Sequence, residues 1–137
     1  MNRTKLSTRQ VSPHARRPRR RPGENRERLL EAGIIEFGTR GYRGASTAAI
    51  AAAADVPQPH VYTSFENKRA LFLACAERAL VRLEQGSGDA FLLQAIAAAH
   101  EDELSDELLP LLRALRHRSG DAEFAAAIAR AAAAALA

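Results

Sequence analysis

The stretch Ser46-Thr47-Ala48-Ala49-Ile50-Ala51-Ala52-Ala53-Ala54-Asp55-Val56-Pro57-Gln58-Pro59-His60-Val61-Tyr62-Thr63-Ser64-Phe65 reads as two short helices joined by a sharp break. Ser46 is an N-cap candidate, because a serine hydroxyl can accept from an amide of the first helical turn, and the alanine-rich run that follows favours helix. Asp55-Val56 makes the break. Proline fits a helix only in its first turn, where its missing N–H has no intrahelical partner, so Pro57-Gln58-Pro59 opens the next helix, which ends near Phe65.

Upstream, a helix is expected from about Glu24, with Leu30, Ile34 and Phe37 on one stripe beside Gly33, and Gly41 ready to stop it. Glu24 and Glu27 lie where the helix dipole favours acids. Downstream, Asn67 caps a fourth helix from Lys68 to about Gln85 that carries Leu71, Phe72, Cys75, Ala79, Leu80 and Leu83 inward. Gly86-Ser87-Gly88 ends it, and Asp89 is expected to cap a fifth helix reaching about His100. Residues 101–107 read as an acidic loop, a sixth helix begins near Leu108 with Pro110 in its first turn, and Gly120-Asp121 separates it from an alanine-rich segment, 122–137. No strand-like alternation and no internal repeat occurs, so the fold class is all-α.

The 137 residues are 47% hydrophobic, but much of that is alanine, which buries little area. The core must therefore depend on few large side chains, five Phe and two Tyr among them. Charge is unevenly spread: residues 1–22 carry +8, residues 23–72 balance to zero and residues 73–137 carry −4. Residues 1–22, with three prolines and Arg16, Arg17, Arg19, Arg20 and Arg21, read as a disordered basic arm. An arm of this kind is either a solubilising leader or a binder of polyanions.

Several classes fall away. The single cysteine, Cys75, forms no intramolecular disulfide or thiolate cluster, and its place on an apolar stripe makes it a core residue rather than an oxidant sensor. No run approaches the roughly 18 apolar residues of a membrane span, and no apolar secretory stretch opens the chain. No nucleophile-base-acid set, Gly-rich phosphate loop or metal cluster is visible, so neither enzyme activity nor a cofactor is expected. His60 has no partner at ligand spacing, and His100 beside Glu101 to Glu103 reads as a solvated helix end.

Two short helices with a three-residue break, followed by a longer helix, form the layout that lets a second helix enter the DNA major groove. The layout alone is weak. Tyr42, Ile50, Ala51, Ala54, Val56, Val61, Tyr62, Phe65, Lys68 and Leu71, in register and without a gap, closely resemble the signature of the tetracycline-repressor (TetR) family over about residues 24–85. The resemblance implies a helix-turn-helix DNA-binding domain, residues 23–68, followed by a helical ligand and dimerisation domain, here residues 69–137.

It also implies roles. Ser46, with Thr47 beside it, would aim a hydroxyl and amides at a phosphate. Tyr62 would lie on the sugar-phosphate backbone, and Lys68 would add a cation at the start of the fourth helix. Gln58, Pro59, His60 and Thr63 would face base edges, with Gln58 suited to adenine and the Pro59 ring to a thymine methyl. Apart from the resemblance, the charge of the arm and its place before the first helix would let Arg19, Arg20 and Arg21 reach the flanking minor groove.

This chain departs from the family in places. Asp55 stands where glycine is usual, but Asp tolerates the left-handed conformation. Pro57 replaces a capping serine, and Ala48 and Ala49 stand where a long polar side chain often reaches bases, which leaves base reading to the third helix and the arm. Only 52 residues follow Gln85, fewer than the family's second domain needs, so the dimer helices are expected to be missing and the domain partial. The expected protein is a bacterial, cytoplasmic and nucleoid-associated repressor that binds a palindromic operator on double-stranded DNA, as a homodimer if its C-terminal helices suffice, with or without a small-molecule effector. The alternative is a truncated interaction protein that binds DNA weakly or heterodimerises with a full-length relative.

Overall fold

The computed structural model describes residues 20, 21 and 23–137. Among these the chain forms seven helices and no strand: α1 (Glu24–Gly44), α2 (Thr47–Ala54), α3 (Val61–Ser64), α4 (Lys68–Glu84), α5 (Asp89–Ala98), α6 (Ser105–Ser119) and α7 (Asp121–Ala135). The expected all-α class holds. Residues 1–19 and 22, which include most of the basic arm and Arg19, lie outside the described residues.

Helix α1 is the spine on which α2, α4 and α5 pack, while α7 closes over α5. Its stripe buries Leu29, Leu30 and Phe37, and Gly33 lets α4 approach so closely that an added Cβ would meet Cys75 Sγ at 2.7 Å. Phe72 of α4 meets Phe37 edge-on at 4.9 Å and stacks on Phe91 of α5 at 5.3 Å, so one aromatic column ties three helices together. Rings in such geometries contribute about 0.5–1.5 kcal/mol each beyond the area they bury. That is how a chain rich in alanine still forms a core.

Gly41 does what its position suggests, in a modified form. The helical path breaks there, at φ 77 and ψ 175, and one further turn, Tyr42 to Gly44, is aimed in a new direction. A side chain at that φ would be strained and would meet Gln94 Oε1 at 2.9 Å.

Two expected helix starts move. Helix α6 starts at Ser105 instead of near Leu108, because the acids read as loop residues, Asp106 and Glu107, occupy the first turn and favour the positive end of its dipole. Pro110 consequently lies one turn further in, where its missing N–H costs the helix a bond to the carbonyl of Asp106. Asp89 is the first residue of α5 and not its cap: Gly88 holds the cap position, and the Asp89 carboxylate accepts from Arg130 Nε of α7 at 3.1 Å.

Candidate nucleic-acid interface

Ser46 caps α2 as expected, its Oγ accepting from the amide of Ala49 at 3.2 Å. Its own amide donates to Glu36 Oε2 at 3.3 Å, so the hydroxyl hydrogen is the donor Ser46 still presents outward. At the other end of α2, Asp55 takes the left-handed conformation, φ 58 and ψ 46. The amides of Asp55 and Val56 close the helix on the carbonyls of Ala52 and Ala51, at 3.1 and 2.9 Å. This pairing is a Schellman ending, normally built on glycine, and it reverses the chain within two residues. Arg28 of α1 donates from Nε to the Ala54 carbonyl at 2.7 Å and ties that ending to the spine.

The next helix opens on a tight 3₁₀ turn, Gln58–His60, before continuing as α3. Two prolines explain the tight turn: they remove N–H groups that a regular α-helical start would leave unpaired. Val61 and Phe65 are buried and fasten this unit to the core, with the Arg26 guanidinium 4.9 Å above the Phe65 ring. On the opposite face Gln58, Pro59, His60, Tyr62 and Thr63 are all exposed. A helix turned this way has an apolar back and a polar front.

The remaining expected contact residues are placed unevenly. Thr47 and Tyr62 meet across the two helices, Oγ1 to hydroxyl, at 3.3 Å. Lys68 Nζ lies 5.1 Å from the Tyr42 ring centroid and donates to the Arg43 carbonyl at 3.4 Å, so α4 begins beside the end of α1 and near Ser46. Arg20 is half-buried, with Nη1 on Asn25 Oδ1 at 2.7 Å and Nη2 on Asp55 Oδ2 at 3.3 Å, whereas Arg21 is exposed. The chain thus enters α1 against the turn between α2 and α3.

Residues 29–75 match the family model described as bacterial regulatory proteins, tetR family. The chain carries a TetR-family DNA-binding domain. The TetR-family match runs from α1, through the helix-turn-helix, to Cys75 in the middle of α4. Proteins of the TetR family are DNA-binding regulators of transcription. No curated protein and no solved structure matches the chain.

Around the TetR-family unit lie polar residues that spacing did not reveal. Glu101 and Glu103, read as a solvated helix end, instead reach α1: Arg43 pairs with Glu101, and the Tyr42 hydroxyl donates to Glu103 Oε1 at 2.9 Å. Burial first, and then this bond to a carboxylate, pushes the Tyr42 phenol up to about 12. Cys75 has no exposed surface, and burial pushes its thiol up to about 12. The thiolate that an oxidant would attack is therefore almost absent at neutral pH. Among the described residues no group of three or more His, Cys, Asp or Glu side chains is arranged to hold a metal ion, and no helix is long and apolar enough to cross a membrane.

Proposed function

We propose that the chain is a transcriptional repressor that binds a palindromic operator as a homodimer, with the polar front of the third helix in the major groove. The observation that supports this most is the split of residues 58–65 into a buried pair, Val61 and Phe65, and an exposed set of base-sized polar side chains. Gln58 would read adenine bidentately, Pro59 would touch a thymine methyl, and His60 and Thr63 would face neighbouring edges. Ser46, Thr47, Tyr62 and Lys68 would grip phosphates on either side, which fixes the register of the reading helix without carrying sequence information.

Arg19, Arg20 and Arg21 would extend the site into the flanking minor groove. The contact of Arg20 with Asp55 supports this, since it brings the arm's root to the residue from which the third helix departs. An effector would enter the half formed by α4 to α7, where a cleft of about 280 Å³ is lined by Leu83, Arg118, Phe124 and Ala127 among others. That is the lower edge of the ~300–1,000 Å³ typical of small-molecule sites.

Titration of the purified chain against the DNA upstream of its own coding sequence, with salt varied, tests the reading. A footprint with two half-sites roughly 34–36 Å apart, and a sedimenting dimer, are expected. Binding of a single half-site by a monomer would overturn the homodimer, and equal affinity for random DNA would overturn the operator.

A further inference from the structure

One charged cluster stands apart from the residues assigned to DNA. It lies where the turn after Gly41, the first turn of α4 and the turn between α5 and α6 meet. Arg43 is gripped by Glu101 at both ends of its fork, Nε to Oε2 at 2.7 Å and Nη2 to Oε1 at 2.6 Å. The Arg43 side chain is nonetheless 79% exposed, against 25% for Glu101. Arg69 closes the cluster from α4, donating to the Glu103 carbonyl and pairing with Glu107.

The position of Arg43 matters more than its pairing. Its carbonyl accepts from Lys68, and Ser46 follows three residues later. Its backbone is thus at the edge of the surface assigned to phosphates, and from there its exposed guanidinium extends to a carboxylate that presents two oxygens to the fork as a phosphate would.

We propose that Arg43 is a further phosphate-binding residue of the DNA interface, and that Glu101 occupies its guanidinium in the free protein, so that binding DNA exchanges one anion for another. The proposal rests on the DNA-binding reading above. An exposed ion pair is weak and screened by salt, so a duplex phosphate can displace the carboxylate. Glu101 is then released to solvent, and the cost of parting it from Arg43 is what opposes the complex. The α5–α6 turn acts as a brake on DNA binding that is set by one side chain.

Fluorescence anisotropy with the full chain tests this, using a labelled duplex of its own upstream DNA and a random-sequence duplex of equal length. Phosphate contacts ignore sequence, so both probes should respond. Arg43→Ala should lower affinity severalfold and reduce the slope of log affinity against log salt by about 0.9. Glu101→Gln should raise affinity about two- to fivefold, the range of exposed pairs. In the Arg43→Ala background the same Glu101→Gln change should do nothing, because its effect passes through the guanidinium. Thermal melts check that each variant folds, and Arg43→Gln, which keeps part of the apolar stem, takes the place of Arg43→Ala if that change unfolds the chain.

A gain from Glu101→Gln that persists without Arg43 would overturn the exchange in favour of simple repulsion, and no gain at all would overturn the brake. An unchanged salt slope in Arg43→Ala would remove the phosphate contact. If that happens while Lys68→Ala still weakens binding, the DNA-binding reading survives and this inference alone fails; a wild-type chain that binds neither duplex at low salt ends both.

Discussion

Lys68 faces the Tyr42 ring and the Arg43 carbonyl, which hold its ammonium where the proposed phosphate contact needs it. Lys68→Ala should therefore weaken binding to operator and random DNA alike and flatten the salt dependence by about one phosphate. Tyr62→Ala should share the uniform loss without the change in slope, because the hydroxyl carries no charge. Unchanged affinity and slope in the lysine variant would remove it from the phosphate set. Gln58 and His60 are proposed to read bases instead. Replacing either should relax preference at one or two base positions by roughly 1–3 kcal/mol while affinity for random DNA stays near its starting value. Selection from a randomised duplex pool reads this directly, and an equal loss on every sequence would reassign both residues to scaffolding. The exposed front that carries them was legible because the pattern around it is local: a proline, a buried Val61, an exposed Tyr62 and a buried Phe65 at helical spacing. The Arg43–Glu101 pair was not, since the two lie 58 positions apart and neither side chain stands out from its neighbours.

Helix ends show why some elements were read correctly and others were shifted. Ser46 and Asn67 are strong caps, and both accept from the amide three residues on, at 3.2 and 2.8 Å. Where a helix starts on an acid or within an acidic run, as at Asp89 and Ser105, the sequence does not say whether a carboxylate bonds to backbone, pairs with a distant arginine or sits within the first turn. Arg130 decided the first case from 41 residues away. The Asn67 cap also offers a test at this scale, because α4 begins with Lys68. Asn67→Ala should cost about 1 kcal/mol of stability. By fraying the first turn it should also lower DNA affinity, whereas Asn67→Asp or Asn67→Ser should restore the stability. Denaturant melts and anisotropy measured on the same preparations check both parts, and a melt identical to wild type would show that the cap bond does not hold the turn.

At the scale of the whole molecule, charge runs from the basic N-terminal residues to an acidic C-terminal half. Deleting residues 1–19 removes six positive charges and no acid. The shortened chain should bind DNA with a lower affinity and a shallower salt slope, and with less preference for A·T-rich flanks, at unchanged helix content per folded residue. The same footprint at the same affinity would leave the helix-turn-helix as the sole reader. One feature of the core gives the molecule an internal clock. Cys75 lies sealed beneath Gly33 at the seam of α1 and α4, its sulfur donating to the Leu30 carbonyl at 3.7 Å and its thiol pushed up to about 12. A maleimide can label it only after the seam parts, since closed chains offer neither access nor thiolate. The labelling rate therefore counts openings of the helix pair that carries the reading head. Bound DNA should lengthen the interval between them, and a rate that ignores DNA would mean that the seam opens independently of the surface it supports.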